Sequence, residues 1–101
     1  MTVSAQTNQE GKELTINISG RFDFSSHQEF RKIYENAPSD IHEFIIDMND
    51  ATYLDSSALG MLLLLRDHAG GDNADIQIVH CNDDVKKILT ISNFGQLFNI
   101  H

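Results

Sequence analysis

Three groups of side chains in this sequence have the makings of chemistry: the run Asp55-Ser56-Ser57, five histidines, and one cysteine, Cys81. A serine just ahead of an apolar helix sits where an N-cap belongs, since its hydroxyl can accept from the free amides of the first turn. The same place suits a covalent phosphate. Those amides and the positive end of the helix dipole would face it, at an exposed site worth about 0.3–1 kcal/mol. Catalytic settings are missing. Ser56 lacks the Gly-x-Ser-x-Gly frame of a hydrolase nucleophile, and Gly70-Gly71 is not followed by the Lys-Ser/Thr of a phosphate-binding loop. His27, His42, His68, His80 and His101 are dispersed without ligand spacing, so no metal or other cofactor is expected. Asp47 and Asp55 could be imagined as paired carboxylates, but no sugar-binding aromatics accompany them. By residue type alone, Ser56 reads as a helix cap at which phosphate is tolerable, and enzymatic activity is not expected.

Charge narrows the partners. Fifteen acids against seven bases give a formal net charge of -8, which repels nucleic-acid backbones and anionic lipid and either suits a basic partner or reflects solubility alone. The 101 residues, 41% apolar and 22% charged, fit a single domain over residues 1–101. One cysteine excludes an internal disulfide and fits a reducing compartment; following the apolar run 76–79, Cys81 reads as a structural thiol. Residues 1–10 carry neither the basic nor the apolar region of a secretion signal. The longest apolar run, residues 61–65, is far short of the roughly 20 needed to cross a bilayer. A cytoplasmic location without membrane insertion is expected.

Elements must now position Ser56. Residues 2–7 suggest an edge strand, Gly11-Lys12 a hairpin turn, and Leu14, Ile16 and Ile18 a half-buried strand that Gly20 ends. Ser25 or Ser26 can cap a helix, with Glu29 completing a capping box after Ser26. Phe30, Ile33, Tyr34 and Ala37 then supply its apolar stripe, and Pro38-Ser39-Asp40 stops it. Residues 43–48 read as a strand covered on both faces, residues 49–54 as a loop, and residues 57–68 as a second helix ended by Gly70-Gly71. Ile76, Ile78 and Val79 make another strand. Asp83 or Asn82 caps a third helix with Val85, Ile88 and Leu89, and a last strand takes in Leu97, Phe98 and Ile100. The expected order is β-β-α-β-α-β-α-β, an α/β mixed sheet packed by helices. Five successive apolar residues at 61–65 must turn one or two outward, either as a docking strip or to lie under a loop or dimer contact.

The run Tyr53-Leu54-Asp55-Ser56-Ser57-Ala58-Leu59-Gly60-Met61-Leu62 resembles the signature of STAS domains, the anti-sigma factor antagonist family. Ile18-Ser19-Gly20-Arg21-Phe22-Asp23 is similar to the family's strand-Gly-x-hydrophobic-Asp segment, and residues 85–89 with 91–94 to its terminal helix and turn. The resemblance implies a binding module in which Ser56, with Ser57 as the secondary candidate, accepts phosphate. The phosphate comes from a partner serine kinase, often an anti-sigma factor, and a PP2C-type phosphatase removes it. A response regulator combining the two activities is the other partner type, with transcription, biofilm or motility as outputs. Asp23, Asp55, Ser57, Ala58, Met61 and Leu62 fall in its implied partner surface. Ala58 departs from the Gly that many members have there. The alternative within the same resemblance is a non-phosphorylated STAS subunit of a membrane transport ATPase.

Overall fold

The computed structural model describes residues 2–8, 10–38 and 40–101, with Thr2 described by its backbone only. The elements are β1 (Thr2–Thr7), β2 (Glu13–Phe22), α1 (His27–Glu35), β3 (Glu43–Leu54), α2 (Ser56–His68), β4 (Ile76–Val79), α3 (Asp83–Ile91) and β5 (Asn99–Ile100). The order is the one expected. Short 3-10 turns cover Phe24–Ser26, Gly71–Asn73 and Phe94–Gln96. Leu97 and Phe98 therefore precede the last strand, and Ser39 of the expected helix stop lies outside the described residues.

The strands lie side by side in chain order, β1-β2-β3-β4-β5. β1 runs antiparallel to β2, and every later neighbour is parallel. Each parallel step moves the same way across the sheet through a helix. Right-handed crossovers that all advance in one direction must place their helices on one face. Burial agrees: Leu14, Ile16 and Ile18 of β2 pair in register with or neighbour Phe44, Ile46 and Met48 of β3, then Ile76 and Ile78 of β4, all buried. The alternate positions Ile45, Asp47, Gln77 and Val79 are only half-buried. β3 is thus covered on one face, not two.

Two other expectations fall to long-range pairing. Residues 49–54 are strand. Between the pairs Asn17–Asp47 and Ser19–Asp50, and again between Gly20–Ala51 and Arg21–Tyr53, β3 spends one residue more than β2. Two bulges lengthen β3, so its buried residues change from alternate spacing to Met48, Ala51 and Leu54. That broken alternation is what resembles a loop. Gly20 likewise does not end β2; it sits at φ +75 beside the second bulge, and the strand continues to Phe22.

Ser26 does not cap α1. Its backbone is already helical (φ -89, ψ -2) and its side chain makes no cap bond, so no capping box forms with Glu29. The helical path begins earlier, at the turn that Asp23 caps. Asn82 caps α3 by accepting from the Val85 amide at 2.8 Å, and its own amide donates to the Ala51 carbonyl at 2.9 Å. Cys81 is half-buried, which pushes its thiol pKa up.

The far end of the sheet carries a like-charge cost. Partial burial, then Asp75 and Glu13, raise the pKa of Glu43 above the ordinary 4.5. A carboxyl whose folded pKa is raised binds more protons folded than unfolded, so its contribution to stability falls as pH rises through that window. Glu43→Gln should therefore flatten the loss of thermal stability as pH is raised from 4.5. A parallel decline in both proteins would show that Glu43 is not its source.

Candidate functional site

At the C-terminal ends of β2 and β3 two turns stand side by side, tied where the Asp55 amide donates to the Phe22 carbonyl at 3.4 Å. Both are built as Asp-x-Ser. In the first, Asp23 Oδ1 accepts from the Ser25 amide at 3.0 Å and from the Ser25 hydroxyl at 2.5 Å. In the second, Asp55 Oδ1 accepts from the Ser57 hydroxyl at 2.6 Å and from the Ala58 amide at 2.9 Å. Each aspartate opens a helical turn, and each throws its middle residue outward: Phe24, 70% exposed, and Ser56. The two bonds from Ser25, then Arg21, hold the Asp23 carboxyl below its ordinary 3.8 against a smaller desolvation.

The cap of α2 is Asp55, not Ser56. Asp55 is extended (φ -109, ψ -178) because it is the first residue beyond the paired part of β3, and Ser56 is already the first helical residue. This frees the Ser56 hydroxyl, which has no hydrogen-bond partner among the described residues, while Ser57 donates its proton to Asp55. Asp55→Ala should cost about 1 kcal/mol of stability, the usual worth of a cap. Urea titration reads that loss, and an unchanged midpoint would show the cap to be dispensable.

Behind Ser56, α2 divides its apolar residues. Ala58, Met61, Leu62 and Leu65 are 0–4% exposed and pack into the core, so Ala58, Met61 and Leu62 offer a partner no surface. Leu63 and Leu64 are 42% and 51% exposed. They lie seven and eight residues after Ser56, on the helix face that it shares. The expected outward pair exists, but it is this one. Residue typing also passed over Phe24, Tyr53 and Arg21. An aromatic directly after a capping aspartate was the available signal for Phe24.

Asp47 and Asp55 are not brought together: Asp47 lies in mid-sheet, 3.1 Å from His80 Nδ1, and Asp55 stands beyond the strand end. Among the described residues no group of three or more His, Cys, Asp or Glu could hold a metal ion. Two clefts of about 340 and 370 Å³ share Tyr34, Glu35 and His68, and neither is lined by Asp23, Asp55 or Ser56. On the serine rim itself Phe24 and Ser56 are exposed. No helix among the described residues is long and apolar enough to cross a membrane.

A five-stranded sheet, one antiparallel pair and the rest parallel, with its helices in one layer is the architecture of small α/β domains with the SpoIIAA-like fold. The family model described as "Mlab, STAS domain" matches residues 5–99, and the chain belongs to the STAS domain family. It is similar to a STAS-domain containing protein of Pseudomonas aeruginosa (strain UCBPP-PA14), 57% identical over 100 residues and covering 99% of each chain. Among solved structures, an anti-sigma factor antagonist from Mycobacterium paratuberculosis superposes with a TM-score of 0.80 at 14% identity, over 99% of this chain and 84% of that one. The Bacillus cell fate determinant SpoIIAA in its phosphorylated form gives 0.71 at 14% identity, over 99% and 91%.

Proposed function

We propose that this chain is a phospho-regulated protein-binding module of the anti-sigma factor antagonist type, with Ser56 as its acceptor. One observation carries the reading: Ser56 presents an exposed, unengaged hydroxyl, while that of Ser57 is tied to Asp55. A phosphorylated form is known by name for SpoIIAA, whose fold this chain shares. The donor is ATP held by a partner serine kinase, which is an anti-sigma factor or part of a kinase-phosphatase response regulator. The Ser56 oxygen forms a bond to the γ-phosphorus, the bond from that phosphorus to ADP breaks, and the hydroxyl proton passes to a base of the kinase. A PP2C-type phosphatase hydrolyses the ester and resets the domain.

Unmodified, the domain offers its partner Phe24 and Ser56 on the rim and Leu63 and Leu64 along α2, with Asp23 and Asp55 holding the turns. Transcription, biofilm or motility is the output. The test is mass spectrometry after incubation with the cognate kinase and ATP: phosphate is expected on Ser56 and absent from Ser56→Ala, and modification elsewhere in the unmutated chain would overturn the assignment. A second reading draws on the Leu63–Leu64 strip, which is exposed without any change at Ser56: permanent docking on the ATPase subunit of a membrane transporter. Unchanged activity of both Ser56→Ala and Ser56→Asp in cells would favour it.

A further inference from the structure

A phosphate on Ser56 would arrive on the rim that carries the carboxylates of Asp55 and Asp23, whose like charge opposes it. The structure also places a cation at this rim. Arg21 is the register partner of Tyr53 at the second bulge, and its guanidinium carbon lies 4.6 Å from the centre of the Tyr53 ring. Its Nε is 3.6 Å from Asp23 Oδ2, and the side chain is 66% exposed. That ion pair is long, since charge-assisted N–H···O bonds run at about 2.7–2.9 Å. Asp23 is meanwhile satisfied through Oδ1 by the amide and hydroxyl of Ser25. Both holds on Arg21 are of the weak, solvent-exposed kind. A phosphate brings three acceptor oxygens and roughly -1.5 to -2 charge, and it takes a guanidinium bidentately where Asp23 offers one loose oxygen.

We propose that Arg21 is the counter-ion of a phosphate on Ser56, and that its transfer from Asp23 and Tyr53 to that phosphate uncovers the Tyr53 ring. The inference rests on the reading of Ser56 as the modified residue and says how the rim responds. Unmodified, Arg21 covers an aromatic beside the partner surface. Modified, it neutralises part of the phosphate, and the rim changes in shape as well as in charge.

The experiment installs phosphoserine at position 56 of the full chain during synthesis and follows the phosphate by phosphorus NMR as pH is varied. In the Arg21→Gln variant the phosphate should titrate roughly half a pH unit higher than in the parent, because the cation that favours its dianion is gone. Arg31→Gln, which removes an arginine paired with Glu35 on α1, should leave the midpoint in place. Equal midpoints in the parent and Arg21→Gln would overturn the proposal, as would an equal rise in both variants, which would report net charge alone. Tyrosine fluorescence reads the second half. The chain has no Trp and two Tyr, and Tyr34 is buried at 5% exposure, so quenching by acrylamide reports Tyr53. Quenching should rise on phosphorylation in the parent, while Arg21→Gln should show the higher level in both forms. No change in the parent would overturn the uncovering. Because no kinase is used, a kinase that spares Ser56 would overturn the function proposed above and leave this result readable.

Discussion

Phosphate on Ser56 will weaken binding to the partner kinase by about a thousandfold, equivalent to roughly 4 kcal/mol, and leave the domain folded. The two effects separate because of where Ser56 stands. As first residue of α2 it lies at the positive end of the helix dipole, and its side chain points into solvent, so the modification desolvates nothing in the free domain. Free-domain stability should shift by only about 1 kcal/mol or less. In the complex the same charge must be buried against a partner, next to Asp23 and Asp55, and there it carries its full desolvation and repulsion. Calorimetric titration of phosphorylated and unmodified chains into the kinase tests this, with Ser56→Ala expected to bind as the unmodified chain does and Ser56→Asp to bind weakly. Equal affinity of all forms would remove Ser56 from the switch. A fall in melting temperature matching the loss of binding would place the effect in the fold instead.

The second large effect contrasts neighbours on α2. Leu62, fully buried, should cost about 3 kcal/mol on truncation to Ala, from lost transfer energy and the cavity left behind. For a domain of this size that corresponds to a fall in Tm of roughly 15 °C. Leu63, 42% exposed, should cost less than about 0.5 kcal/mol of stability as Leu63→Ala. Its loss should instead appear in partner affinity, by about tenfold, as for a moderate interface contact. The expected pattern is therefore crossed: thermal denaturation finds Leu62→Ala and binding finds Leu63→Ala. A Leu63→Ala protein that binds normally would exclude the α2 strip from the interface. A stable Leu62→Ala protein would contradict the packing described for the core.

Much of this molecule is legible in its residues alone, for reasons of local physics. Alternation at Leu14, Ile16 and Ile18 and the stripe of Phe30, Ile33 and Tyr34 report period and hence element type, because each follows from the geometry of one segment. From those periods came the order of strands and helices, and from the order a mixed sheet. The Asp-Ser-Ser turn was visible too. Which of its residues is the cap was not, since Asp and Ser are nearly equal as N-caps. That was decided by β2, which holds β3 in the sheet through Leu54 and leaves Asp55 as the first residue free to cap.

Tertiary structure alone decided three further matters. Register against β2 put two bulges into β3, turning an apparent loop into strand and setting Arg21 over Tyr53. The common direction of the crossovers put every helix on one face, leaving the other face of β3 half-exposed. The seating of α2 on the sheet chose, among five consecutive apolar residues, Met61, Leu62 and Leu65 for the core and Leu63 and Leu64 for the surface. A run of leucines has no internal contrast from which a rotation about the helix axis could be read. Only the partners that a helix packs against supply it.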